Sequence, residues 1–321
     1  MLYLGERDIR ALGIDWNATV GVIEQAVGCL DRGDFAQPIK PYLRYREPKN
    51  RIIAMPAFLG GAFNLAGLKW IASFPDNIHK GVPRAHSILV LNDADTGAPV
   101  AIINTALLSV IRTASVTGLM IKKLDEVRPL RDVTVGLTGY GPIGQHHLRM
   151  IAALLGDRIR RVRIHDLRAV TPEVDFMDPA RVSVVDSWQE AYDDADVFMT
   201  CTVSAAAYID RRPKAGSLQL NVSLRDYKPE VFDWVKGAMI VDDWEEVCRE
   251  KTDIEVFHQV KGLQKEGTLS LAEAVCHDRL RGFAPEQPIL FNPMGMGVFD
   301  IATASYYYHL AGEQGVGTRL E

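Results

Sequence analysis

The chain has 321 residues, 47% apolar and 24% charged, with a net charge of −5. These are the proportions of a globular protein with room for two domains of ordinary size. The acidic balance argues against a nucleic-acid or anionic-membrane partner. The four cysteines, Cys29, Cys201, Cys248 and Cys276, form no CxxC pair, and the eight histidines form no ligand-spaced cluster. No metal site and no disulfide framework is expected, and reduced thiols point to the cytoplasm. The first residues carry acids early and lack an apolar signal core. The longest uncharged run, Ile52 to Leu68, holds Pro56, Gly60, Gly61 and Asn64, a poor membrane span and a good source of strands and turns.

In chain order, the pattern predicts helices near Glu6–Leu12 and Ala18–Asp31. Strands follow at Lys40–Arg46, Arg51–Met55, Leu65–Ser73, His86–Asn92 and Pro99–Asn104, with a hairpin turn over Asn92–Gly97. Apolar residues at helical spacing predict one long helix from Thr105 to Leu124. The charged, proline-containing stretch Lys122 to Asp132 reads as a domain boundary. Beyond it strands alternate with helices: Val133–Thr138, Arg161–Asp166, Val182–Val185, Val197–Cys201, Ser217–Val222 and Ala238–Val241. That alternation predicts an α/β fold with a parallel sheet wrapped by helices. Leu290 to Gly297 reads as a loop, followed by an apolar helix from Val298 to Leu310 that returns to the first domain.

The chemistry is most legible at Val133-Thr-Val-Gly-Leu-Thr-Gly139-Tyr-Gly141-Pro142-Ile143-Gly144. A β-branched run precedes this glycine turn and a helix pattern, Gln145 to Leu155, follows it. An acid, Asp166, ends the next strand about 20 residues on, the spacing of a dinucleotide fingerprint. Glycines let the backbone approach a diphosphate, and an aspartate accepts both hydroxyls of a ribose and repels a 2′-phosphate. The expected cofactor is therefore NAD rather than NADP. Arg168 either offsets that repulsion or is a solvated surface charge. Thr202 and Ser204 follow a strand end, where small hydroxyl residues suit either a ribose contact or a helix cap.

Other residues stand out upstream and downstream. Lys69 lies in the otherwise apolar strand Ala66-Gly-Leu-Lys69-Trp-Ile-Ala, either reaching to water or buried with a lowered pKa. Arg112 sits mid-helix among apolar residues, paired either with a neighbouring helix or with an anionic ligand. Arg44 and Arg46 share a strand face by alternation, and either suits a carboxylate. Asp226 follows a strand of the nucleotide domain, at the ligand-facing end of such sheets, or else caps a helix before Pro229. His79 and His86 have no assigned role and read as surface or satisfied-core residues.

Taken together, Gly67-Leu-Lys69-Trp-Ile-Ala-Ser-Phe-Pro75-Asp-Asn77, Gly81-Val-Pro83, Leu91-Asn-Asp93, Thr96-Gly97 and Arg112-Thr113 resemble the ornithine cyclodeaminase/μ-crystallin family. The resemblance covers essentially the whole chain. It implies a Rossmann NAD-binding domain, 126–297, plus an N-terminal α+β substrate and dimerisation domain, 1–125, rejoined by a C-terminal helix in 298–321. It also implies a homodimer acting on a small amino-acid substrate. Arg44, Lys69 and Arg112 match positions that hold the substrate carboxylate, with Met55 on the same side and Lys69 near the reacting nitrogen. Asp226 matches the aspartate that acts on water. Thr113 matches a residue near the cofactor phosphates, and Ser223 lies in the loop of Asp226 on the cofactor side. Cyclodeaminases carry a glutamate shortly before their Met-Pro, whereas here the stretch is Ile52-Ile-Ala-Met55-Pro56. That departure points away from ornithine. It points toward a branch that oxidatively cleaves N-(2-amino-2-carboxyethyl)-L-glutamate to 2-oxoglutarate and 2,3-diaminopropionate, for siderophore or antibiotic assembly. Arg44-Tyr-Arg, Asn50–Pro56, Asn221–Asp226 and Asn292–Thr303 are closest to that branch. The family alternatives are a cyclodeaminase, an amino-acid dehydrogenase or a ketimine reductase. A non-catalytic nucleotide-binding protein is the alternative of another class.

Overall fold

A computed structural model describes residues 1–321. The chain divides into two compact units, 1–115 with 295–321, and 116–294. The division falls inside a long helix, not in the charged stretch that follows it.

The first unit contains β1 (Leu2–Gly5), α1 (Glu6–Leu12), α2 (Trp16–Asp31), β2 (Phe35–Ala36), β3 (Tyr42–Leu43), β4 (Arg51–Leu59), β5 (Leu65–Ser73), β6 (Ala85–Asp93) and β7 (Pro99–Asn104). Helix α3 (Leu107–Val127) then leads into the second unit. The strands form one sheet, in which β4, β5, β6 and β7 are a continuous antiparallel meander and β1 joins β7 in parallel. Helix α2 starts because the Asp15 side chain accepts the Ala18 N–H, satisfying a first-turn donor that lacks an intrahelical partner. The expected strand over Lys40–Arg46 shrinks to β3. Arg46 adopts φ +57°, a left-handed conformation that ends the extended run, so Arg44 and Arg46 do not share a strand face.

The second unit is doubly wound. It contains β8 (Val133–Thr138), α4 (Pro142–Leu155), β9 (Ile159–His165), β10 (Val182–Val184), α5 (Trp188–Tyr192), β11 (Val197–Thr200), β12 (Leu218–Asn221), α6 (Phe232–Val235), β13 (Met239–Val241), α7 (Trp244–Val247), α8 (Asp253–Lys261), β14 (Thr268–Ser270), α9 (Leu271–Cys276) and β15 (Ile289–Asn292). All its strands are parallel, in the order β10-β9-β8-β11-β12-β15-β13-β14. The order reverses direction between β8 and β11, and open α/β sheets bind ligands at the carboxyl ends of the strands flanking that point. Strands β8, β11, β12 and β15 are wholly buried, as expected for a sheet covered on both faces. Two strands of this sheet, β15 and β14, depart from the sequence reading. Residues Leu290–Asn292 are interior strand rather than loop, and β14 has no counterpart. Both are too short to show a period of their own.

The chain returns to the first unit as α10 (Gly297–Gln314), with β16 (Thr318–Arg319) closing on β1. Helix α10 packs on α2, β4 and β5. It is apolar on most sides and buried along most of its length, the behaviour of a core helix. No helix is long and apolar enough to cross a membrane.

Candidate active site

The first unit buries an unusual group of charges. Antiparallel register places Lys69 on β5 opposite Met55 on β4 and Leu89 on β6. Only 2% of Lys69 is exposed, so its ammonium does not reach to water. Its Nζ pairs with Asp300 Oδ2 at 2.7 Å and donates to Ser109 Oγ at 3.4 Å. Asp300, on the first turn of α10, also accepts Arg112 Nε on its other oxygen at 2.9 Å. A third buried cation, Lys40, donates to the Gly295 carbonyl at 2.8 Å. Gly295 has φ +88°, and a Cβ there would sit 2.7 Å from Arg112 Nη1. A side chain at 295 would therefore displace the guanidinium.

Burial and neighbours set the charges. Burial pushes the Lys69 ammonium down to about 7. Asp300 pulls it back up, while Arg112 and Lys40 add to the depression. Burial alone would raise the Asp300 carboxyl, but Arg112 and Lys69 outweigh it and hold it below the usual range. A lysine titrating near neutrality can give or take a proton at physiological pH. The cations around one carboxylate favour an anionic ligand.

Of the two readings of Lys69, burial is the one realised. Arg112 makes its salt bridge to the C-terminal helix. Met55 is buried beside Lys69. Thr113 is half-buried, and its hydroxyl donates to the Ser109 carbonyl at 2.7 Å. Arg44 is exposed and stacks over the Tyr42 ring at 4.9 Å. His79 and His86 are both exposed. Sequence reasoning passed over Asp300 and Lys40. An acid in the first turn of an otherwise apolar helix was the only local signal for Asp300.

In the second unit the glycine turn closes β8 onto α4. Gly139 has φ +89°, and a Cβ there would lie 2.5 Å from the Cys201 carbonyl. A Cβ on Gly144 would lie 2.1 Å from the Gly139 carbonyl. A Cβ on Gly141, the residue that starts α4, would project into open space. Gly139 and Gly144 thus keep the turn tight, and Gly141 leaves room for a diphosphate against the helix N-terminus, with Pro142 and Ile143 in its first turn. Asp166 accepts the Tyr140 N–H at 2.8 Å on one oxygen and the Arg168 N–H at 2.9 Å on the other. Burial would raise the Asp166 carboxyl, but these bonds and the Arg168 side chain lower it on balance. It stays ionised as a ribose acceptor must. The Arg168 side chain is 71% exposed, 3.3 Å from Asp166. These residues fit a dinucleotide.

Downstream, Asp226 is fully buried. Thr202 donates to its Oδ1 at 2.5 Å, and Ser223 donates to its Oδ2. No helix follows β11, so Thr202 and Ser204 cap nothing; Ser204 donates to the Ala206 carbonyl at 2.6 Å. Asp226 is likewise not a cap, since Lys228 precedes the short turn that begins at Pro229.

The match to a family model settles the class: residues 11–315 match the Ornithine cyclodeaminase/mu-crystallin family. The chain belongs to that family. It is 34% identical to the N-((2S)-2-amino-2-carboxyethyl)-L-glutamate dehydrogenase of Staphylococcus aureus, over 100% of this chain and 98% of that one. It is 24% identical to the alanine dehydrogenase of Archaeoglobus fulgidus, over 100% and 98%. Among solved structures, the Thermococcus litoralis Δ1-pyrroline-2-carboxylate reductase in complex with NADH and L-proline superimposes with a TM-score of 0.86. It is 22% identical, over the whole of both chains.

In this family member Gly139→Ala is expected to be destabilised by more than about 1 kcal/mol, because a Cβ is forced into positive φ and against a carbonyl. NADH binding should weaken in parallel, read by fluorescence titration. Wild-type stability and affinity in this variant would show that the turn tolerates a side chain.

Proposed function

We propose that the protein catalyses the NAD-dependent oxidative cleavage of N-(2-amino-2-carboxyethyl)-L-glutamate to 2-oxoglutarate and L-2,3-diaminopropionate, supplying siderophore or antibiotic assembly. The observation that carries this reading is the full-length 34% identity to the Staphylococcus aureus enzyme. The lack of a carboxylate in Ile52-Ile-Ala-Met55-Pro56 supports it against a cyclodeaminase. We place the substrate function in 1–125 and 298–321 and the dinucleotide function in 126–297, in a cytoplasmic homodimer.

NAD, when bound, accepts the hydride released from the glutamyl Cα. In the second unit, Gly139, Gly141, Pro142, Ile143 and Gly144 hold its diphosphate, and Asp166 accepts the hydroxyls of its adenosine ribose. Arg168, Thr202, Ser204 and Ser223 line the rest of the cofactor path. To Thr113 we assign a contact with the phosphates, as the family resemblance implies.

Arg112, held by Asp300, offers its guanidinium to a substrate carboxylate. Arg44 offers a second cation for a molecule with several carboxylates, and Met55 lines the site. Lys69, deprotonated, accepts the proton that the secondary amine loses as its Cα–H bond breaks. The result is an imine. Asp226 orients water toward the imine carbon and takes a proton from it as the new C–O bond forms, while the Lys69 ammonium returns its proton to the imine nitrogen. The proton that Asp226 took from water passes to the departing amine, and Asp226 then takes the hydroxyl proton as the C=O bond forms and the C–N bond breaks. An amine without carboxylates would forgo the contacts to Arg112 and Arg44, which disfavours it against the proposed substrate.

The test supplies purified protein with NAD and this substrate and follows NADH absorbance. Stoichiometric NADH and 2-oxoglutarate are expected. Turnover of ornithine to proline and ammonia instead would replace the reading with a cyclodeaminase. NADH binding without oxidation of any amino acid would make the protein a non-catalytic member of the family.

A further inference from the structure

We infer that Asp253, a buried carboxylate at the start of α8, is a positioning residue that clamps the loop carrying Asp226. The inference rests on the proposed role of Asp226 in acting on water.

Asp253 is 2% exposed and makes no contact expected of a helix cap. Thr252 does that work, its side chain accepting the Glu255 N–H. The Asp253 carboxylate instead turns toward the loop after β12. Its Oδ2 accepts the Asp226 N–H at 3.1 Å, the Tyr227 N–H at 3.1 Å and the Asn221 Nδ2 at 2.9 Å. Its own N–H donates to the Leu224 carbonyl at 2.8 Å. Leu224 has φ +65°, a conformation that a leucine holds only when its surroundings impose it. Asn221 contributes on the other side. Its Oδ1 accepts the Leu224 N–H at 3.0 Å and the Thr200 hydroxyl at 3.2 Å, and its Nδ2 also donates to Asn292 Oδ1 at 2.8 Å. The ends of β11, β12 and β15 are therefore tied to α8 through one polar network.

The target of that network is specific. The Asp226 N–H is held by Asp253, and its carbonyl accepts the Tyr208 and Ile209 N–H groups at 2.9 and 2.8 Å. With backbone held on both sides, the two hydroxyls on its carboxylate fix the remaining rotation. Burying a second carboxylate here is costly, and simple packing would be served better by an apolar or amide residue. Burial pushes the Asp253 carboxyl up to about 7 despite the Tyr227 N–H and the Asn221 amide. A group retained at that cost is explained by the backbone donors it collects.

The experiment compares Asp253→Asn, Asp226→Asn and the double variant in the full-length protein with NAD, on the amine that wild type oxidises. The amide keeps the shape and one acceptor oxygen but loses the negative charge that strengthens all three bonds to Oδ2. Misplacing a reacting group by about an ångström costs on the order of 10²-fold, so kcat of Asp253→Asn should fall by that order. KM for the amine and affinity for NADH should stay within about twofold, because the clamp touches neither ligand. The double variant should be no slower than Asp226→Asn alone, since the two residues act as one unit. Wild-type kcat per folded molecule in Asp253→Asn, or losses that multiply in the double variant, would overturn the inference. Should Asp253→Asn not fold, Asn221→Ser loosens the same clamp and must show the same kcat-only loss; full kcat there also overturns it. A fast Asp226→Asn refutes the role of Asp226 itself. A slow Asp226→Asn with a fast Asp253→Asn refutes the clamp alone.

Discussion

Lys69→Met is expected to lower turnover by about 10²–10⁴-fold, the range for losing a general acid or base. NADH binding should be unaffected. Methionine keeps most of the buried length and removes the ammonium, with a thioether sulfur in place of one methylene. The pH dependence supplies an independent reading. The Lys69 ammonium titrates at about 7 in the folded protein. As a proton acceptor it must be neutral, so kcat/KM should rise with pH through about 7, and this limb should vanish from the residual activity of Lys69→Met. A bound substrate carboxylate favours the ammonium, so the corresponding limb in kcat lies higher. The linkage to stability has the same origin. Between about 7 and the ordinary lysine value of 10.5 the unfolded chain binds a proton that the folded chain does not. Stability contributed at this site therefore increases with pH across that window, and below it the full cost of the buried ammonium is felt. Undiminished kcat in Lys69→Met would remove Lys69 from the chemistry.

Asp300→Ala is expected to destabilise the first unit strongly. It leaves Lys69 and Arg112 buried without their shared carboxylate. Removing one partner of a buried ion pair costs about 3–5 kcal/mol, read as a lowered denaturation midpoint at unchanged slope. The loss should shrink as pH rises through the Lys69 titration, because a neutral lysine no longer needs a counter-ion. Asp300→Ala should also weaken substrate affinity, since Arg112 loses the contact that orients its guanidinium. Wild-type stability at neutral pH would mean that other groups already neutralise this cluster.

The two variants separate the kinds of information that sequence and fold carry. The glycine turn was legible because its chemistry is local. Gly139, Gly141 and Gly144 answer to backbone constraints within a few residues, and Asp166 follows at a spacing set by one helix and one strand. The elements of the first unit were equally legible where period and turn chemistry agree, as at β5 and β7, which match their expected bounds. The strands missed outright have four or fewer residues, and β4 runs on to Leu59, four residues past its expected end at Met55. β15 has no period to detect, and its position in the interior of the sheet is decided by neighbours distant in sequence.

The side chains followed the same division. Lys69 and Arg112 drew notice as charges in apolar runs, but both of their readings fitted the sequence. Burial and the arrival of Asp300, from a helix at the other end of the chain, decided between them. Asp226 was legible as a strand-end acid. The hydroxyls of Thr202 and Ser223 that hold it, and the Asp253 clamp behind its backbone, were not, because strands adjacent in the sheet are far apart in sequence. By itself the sequence determined the α/β class, the nucleotide turn and the family, all of which rest on short-range spacing. Only the tertiary structure decided which charges are buried, what neutralises them and where their protons reside. Desolvation and Coulomb energy depend on distances in space that no local pattern encodes.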